Sequence, residues 1–276
     1  MSLVDSGPIA DGCLAALPSG WIALVDGELV STGGPRWEVG TTGGNRLHTS
    51  VDGRYAAVVV DRGSRGVVVD LASGTVTAEL DRGDYGSTLT DFPVAFLGTG
   101  EFVAATDWNQ LGLFDAATGT RKATHGDDID FFHGGLTVCP SGKWLIIDGW
   151  IWQPVGAQLL VDLDAWRAGD HDATEVGPYP DDWNRPTAWL DDETIAVQGQ
   201  DGVTLVAIPS GETRGTIAAP PGRLWSHNGR LFIAAQHGLE IWSPTERLGL
   251  VDGFRPIAQN PTTGALADRD LHTWLP

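Results

Sequence analysis

The stretch LTVCPSGKWLIID, residues 136–148, sets two apolar runs on either side of a tight polar turn at Pro140–Lys143. That arrangement reads as strand, turn, strand. It recurs as LHTSVDGRYAAVVV (47–60), VAFLGTGEFVAAT (94–106) and TAWLDDETIAVQ (187–198). Fainter copies are RLWSHNGRLFIAA (223–235) and PIAQNPTTGALA (256–267), and an early one is CLAALPSGWIALVD (13–26). The turns fall near Gly20, Gly53, Gly100, Gly142, Asp192, Gly229 and Gly264, at intervals of 33 to 50 residues. Seven units at that spacing match the period at which four-stranded blades repeat.

A second hairpin follows the first in most units. It is read in GVVVDLASGTVTAEL (66–80), LGLFDAATGTRKAT (111–124), VTLVAIPSGETRGTI (203–217) and LEIWSPTERLGLV (239–251). Each unit then holds four strands, a to d. Helical periodicity is hard to find; VDLDAWRAGDHD (161–172) reads as an enlarged c–d turn with at most one helical turn. The expectation is an all-β chain, a seven-bladed β-propeller forming one domain over residues 1–276, with six or eight blades as alternatives.

In these motifs the chain resembles the WD40-like β-propellers. LTVCPSGKWLII looks like that family's strand a, Ser-Pro-Asp-Gly turn and strand b, with Ser141 where the family prefers aspartate. VVVD, LLVD, LFDAATG and EIWS resemble its strand c ending. The family's Gly-His opening and its Asp-His-Ser/Thr-Trp network are not traced, so the resemblance implies the fold and no particular partner.

The last unit supplies strands a (254–259), b (264–269) and c (270–275). An open sheet edge exposes unpaired backbone groups, which natural sheets avoid. Residues Ser2–Asp5, or as far as Ile9, are therefore expected to add strand d to the last blade and close the ring. Cys13 and Cys139 would lie on innermost strands of the first and fourth blades, too far apart for a disulfide, and read as small buried apolar side chains.

With 42% apolar and 19% charged residues, the 276-residue chain can bury a sizeable core. Its 37 glycines and 16 prolines are scattered, which suits many short turns. A formal charge of −19 opposes nucleic acid and anionic membrane surfaces and favours cations and basic peptides or proteins. The N-terminus lacks a signal-peptide pattern and no apolar run reaches eighteen residues, so the economical expectation is a cytoplasmic monomer.

In a propeller the b–c loops and d–a connections share one face. The d–a connections DRGDYGSTLTD (81–91), HGDDIDFFHGG (125–135) and GPYPDDWNRP (177–186), with the b–c loops TDWNQ (106–110) and DGWIWQPVG (148–156), are acidic and aromatic. They assign a candidate binding face to Asp84, Tyr85, Trp108, Asp127, Asp128, Asp130, Trp150, Trp152, Asp181, Asp182 and Trp183. Clustering by chance and burial of tryptophan between blades are the bland alternatives; Trp144, Trp189, Trp225 and Trp242 fit that packing role.

No His-Glu-x-x-His pattern, calcium loop, P-loop or nucleophile elbow is present, and no cofactor is expected. Asp128, Asp130 and His133 are weak metal candidates. The first reading is a non-catalytic binding or scaffold module whose acidic face takes a basic peptide or protein. The alternatives are a sugar or lactone hydrolase or lyase at the channel mouth, and a structural subunit of a larger complex.

Overall fold

The computed structural model describes residues 7–39, 43–126, 130–152, 155–177 and 182–276. These form seven antiparallel sheets, each built from strands consecutive in the chain. The first sheet holds Leu14–Leu17 (β1), Gly20–Val25 (β2), Glu28–Ser31 (β3) and Arg36–Glu38 (β4). The second holds Arg46–Thr49 (β5), Tyr55–Val59 (β6), Arg65–Asp70 (β7) and Thr75–Asp81 (β8). The third holds Val94–Leu97 (β9), Glu101–Asp107 (β10), Gln110–Asp115 (β11) and Arg121–His125 (β12).

The fourth sheet holds Phe131–Val138 (β13), Trp144–Ile151 (β14), Val155–Asp162 (β15) and Ala173–Glu175 (β16). A five-residue helix, Leu163–Arg167 (α1), lies in its c–d turn, a little longer than the single helical turn expected there. The Asp162 carboxylate caps α1 by accepting from the N–H groups of Asp164 and Ala165. The fifth sheet holds Thr187–Asp191 (β17), Thr194–Gln198 (β18), Val203–Ala207 (β19) and Thr213–Ile217 (β20). The sixth holds Arg223–His227 (β21), Arg230–Ala235 (β22), Gly238–Trp242 (β23) and Arg247–Asp252 (β24). The seventh has three strands among the described residues, Pro256–Gln259 (β25), Leu266–Asp268 (β26) and Thr273–Trp274 (β27). This is the seven-bladed β-propeller that the repeat implied.

Burial follows strand order within each sheet. The second strands are mostly buried, and β6 (YAAVV) and β18 (TIAVQ) are buried at every position, so both of their faces are covered. The fourth strands, such as β16 and β24, are largely exposed. Short turns are fixed by local side chains. Asp70 accepts from the N–H of Ala72, Asp115 from those of Ala117 and Thr118, and Asn260 from those of Thr262 and Thr263. Asx turns of this kind explain why Asp and Asn recur where the strands reverse.

The chain divides into two compact units, Met1–Asp127 with Ile257–Pro276, and Asp128–Pro256. In the first, one apolar cluster joins the seventh, first and second sheets through Ala258, Leu14, Ile22, Val67 and their neighbours. Another joins the second and third sheets through Val68, Phe92 and Phe102. In the second unit, Ile146, Leu160, Trp189 and Ile195 join the fourth sheet to the fifth, and Leu205, Leu224 and Leu231 join the fifth to the sixth.

Of the four packing tryptophans, Trp189 is buried and donates its indole N–H to Thr137 O on the neighbouring sheet at 3.1 Å. Trp144 and Trp242 are partly buried against the two cores, and Trp225 is partly buried beside Arg223. Cys13 and Cys139 are buried free thiols. Ser2–Asp5, expected to complete the last sheet, lie outside the described residues. Further along, the Ile9 N–H donates to Arg269 O at 2.9 Å, and Ile9 is buried in the first unit's core. No helix among the described residues is long and apolar enough to cross a membrane.

Candidate functional site

Two loops expected from the sequence are shorter than anticipated. FFHGG, read as part of a connection, is the start of β13, and DGWI, read as part of a loop, is the end of β14. The ladder continues because Phe131, Phe132 and His133 pair with Ile151, Trp150 and Gly149 across the two strands. Gly149 permits this: a Cβ there would collide with the Phe132 carbonyl oxygen. His133 is consequently buried within a strand while Asp130 is exposed before it. Asp127, Asp128 and Asp181 lie outside the described residues; of the metal candidates, Asp130 and His133 lie within them.

In the second unit the strand ends carry an aromatic stack. Phe132 and Trp150 are cross-strand partners whose rings lie parallel, 3.8 Å between centroids and 4° apart in plane. Trp183, from the connection between the fourth and fifth sheets, lies 5.5 Å from Trp150 at 30°. Trp152 lies 6.2 Å from Trp150 at 28°. Trp150 is only 6% exposed, whereas Trp152 is 59% exposed. The result is an outward indole resting on an immobilised aromatic base. Exposed Asp130 and Asp182 stand on the two segments that carry Phe132 and Trp183.

Beneath the stack lies a residue that loop composition does not single out. Asp148, two positions before Trp150 on the same face of β14, is 3% exposed. Its Oδ2 accepts from the N–H groups of Asn184 at 2.6 Å and Arg185 at 3.3 Å. Its Oδ1 accepts from Gln158 Nε2 at 3.2 Å, with Arg185 Nη2 at 3.8 Å. Burial pushes its carboxyl up to about 6, against the opposing pull of the Arg185 guanidinium and the N–H donors. Asn184 takes a left-handed backbone with φ 59°, a conformation Asn tolerates better than most residues. Asp148 therefore anchors the 182–186 segment, and through it Trp183.

In the first unit, Tyr85 and Trp108 meet edge to face, 5.5 Å between centroids at 77°. Tyr85 belongs to a d–a connection and Trp108 to a b–c turn, so the structure brings together two of the elements assigned to one face. Asp84 is exposed beside them. The 81–91 connection is organised by Arg82, 2% exposed, whose guanidinium donates to the carbonyls of Gly63, Ser87, Thr90 and Asp91 and to Thr90 Oγ1. Burial lowers its pKa to about 10, and Asp61 and Asp91 act in the opposite direction.

A separate trio, Asp268, Asp270 and His272, brings its donor atoms within 4.8 Å of one another. Asp268 already accepts from the N–H groups of Asp270 and His272 and pairs with His272 Nδ1 at 3.0 Å, so the trio caps a turn.

No protein-family model matches the chain, and no curated protein matches it either. Among solved structures 1029 chains match, so the fold is widely shared and does not by itself select a function. One is a chain in the crystal structure of the mitotic checkpoint complex, similar over 99% of this chain and 90% of its own, with a TM-score of 0.67 and 14% identity. At that identity the likeness speaks for architecture alone, and it agrees with the seven sheets: the chain has a seven-bladed β-propeller fold.

Proposed function

We propose that the protein is a non-catalytic binding module, a cytoplasmic monomer whose acidic and aromatic loops take a basic peptide or protein surface. The observation that carries this reading is Trp152, an exposed indole backed by Trp150 and Phe132 and accompanied by the exposed carboxylates of Asp130 and Asp182. Aromatic faces braced from behind lose little entropy on binding and attract guanidinium and ammonium groups. Carboxylates around them steer a cationic partner, as does the net charge of −19. Asp148, the buried carboxylate nearest the stack, has both oxygens engaged in holding the 182–186 segment, which suits an anchor better than an acid or base.

The test is anisotropy of a labelled oligoarginine peptide titrated with wild type, Trp152→Ala, and the Asp130→Asn/Asp182→Asn pair. Each change should weaken binding about tenfold, and affinity should fall steeply between low and physiological salt. Equal affinity for all three proteins would remove this surface from consideration.

A further inference from the structure

The residues from Asp81 to Thr88 do more than join two sheets. With the turn after β6 and the end of β8 they enclose an open cleft of about 880 Å³, whose lining includes Ser64, Arg65, Glu79, Asp81, Asp84 and Ser87. Its two walls are tied together from behind by one buried side chain. Arg82 donates from Nε to Gly63 O at 2.8 Å on the turn side and from Nη2 to Ser87 O at 2.6 Å on the connection side. A second tie within the connection runs from Ser87 Oγ to Asp84 O at 3.1 Å. The cavity is therefore held open before any ligand arrives, which spares the ordering cost of binding.

The charges in it select the occupant. Glu79, Asp81 and Asp84 face one cation, Arg65, whose Nε is 3.9 Å from Asp81 Oδ2. Both partners of that pair are mostly exposed, 79% and 61% by side chain, so it is easily exchanged for a better-placed cation. The residues that follow lining positions Asp84 and Thr88 in the chain are large, apolar and outward: Tyr85, 58% exposed and braced by Trp108, and Leu89, 44% exposed. An acidic, walled cavity next to exposed apolar side chains fits a segment that pairs a basic residue with an apolar neighbour.

We infer that this cleft of the second sheet is where a basic segment of the partner docks, with an arginine or lysine side chain among Glu79, Asp81 and Asp84 and an adjacent apolar side chain against Tyr85 and Leu89. The inference rests on the binding function proposed above and assigns it a cavity and a ligand pattern.

The probe is a labelled peptide of alternating leucine and arginine, compared with the same peptide carrying citrulline, which keeps the shape and removes the charge. It is titrated with wild type, Asp81→Asn/Asp84→Asn, Tyr85→Ala and Trp152→Ala, each checked for an unchanged melting temperature. The paired Asn variant should bind the arginine peptide about tenfold more weakly and the citrulline peptide as wild type does. Tyr85→Ala should weaken both peptides. Hydrogen exchange should slow across residues 79–89 when the arginine peptide is bound. If the Asn pair binds the arginine peptide as tightly as wild type, or protection falls elsewhere, the cleft is not the dock. Should Trp152→Ala alone weaken binding, this inference fails and the proposed function stands; should no variant weaken it, both fail.

Discussion

Asp148 shows how a single carboxyl can matter without appearing in a motif. LIIDGW places one acid inside an apolar strand, and that interruption is a signal the sequence does contain. Asp148 also heads DGWIWQPVG, where the following Gly149 resembles a turn residue and masks the buried position. Its protonation has a thermodynamic consequence. In the unfolded chain the group titrates near 4, and in the folded protein at about 6. Between those values the folded state holds a proton the unfolded state has released, so this group makes stability fall as pH rises through the window. Asp148→Asn removes that slope. The wild-type advantage over the variant should shrink by about 2 kcal/mol from pH 4 to pH 6 and then level off, read from paired urea melts. A level difference across the window would contradict the assignment. The difference is needed because His48, lowered to about 4 chiefly by burial and secondly by Arg46, acts oppositely. Its contribution is present above the ordinary histidine range and is lost as pH falls towards 4.

At the scale of the element, hairpins were legible and strand ends were not. The turns near Gly20, Gly53, Gly100 and Gly142 follow from polar residues between apolar runs, and each separates two observed strands. By contrast, β13, β14 and β15 each run to eight residues, past the point where composition turns polar and aromatic. Cross-strand pairing of Phe132 with Trp150 extends them, and such pairing is invisible until register is known. The 81–91 connection teaches the complementary lesson. Nothing in DRGDYG distinguishes a buried arginine from a solvated one, yet Arg82 satisfies four carbonyls and a hydroxyl. Arg82→Met takes the guanidinium donors away from those acceptors, of which the Ser87 and Thr90 groups are buried. It should lower unfolding free energy by about 3 kcal/mol or more, measured by urea denaturation. A loss well below 1 kcal/mol would mean that the connection is held by something else.

At the scale of the whole molecule, repetition carried the fold. Seven similar turns suffice because each sheet is made from consecutive strands, so pairing within a sheet is local in the chain. The candidate face was less legible: the sequence named the aromatic residues but not which would be buried, and Trp150 and Trp152 differ only by two positions in the chain. Long-range ties remain at the seventh sheet. Deleting residues 1–10 removes the Ile9 contact with Arg269 along with the segment expected to supply a fourth strand, and the melting temperature should drop by several degrees or more. An unchanged melting temperature would end that closure scheme.

The same ties impose an order in time. Asn260 Nδ2 donates to Leu17 O across 243 residues of sequence, and Ile9 reaches Arg269, whereas the strands within each sheet meet close neighbours in the chain. During synthesis the early sheets can assemble as their own hairpins emerge, while the partners of Ile9 and Leu17 do not yet exist. Ile9 and Leu17 must wait until residues 260–269 have been made, so the chain spends most of its synthesis with these early groups unmatched.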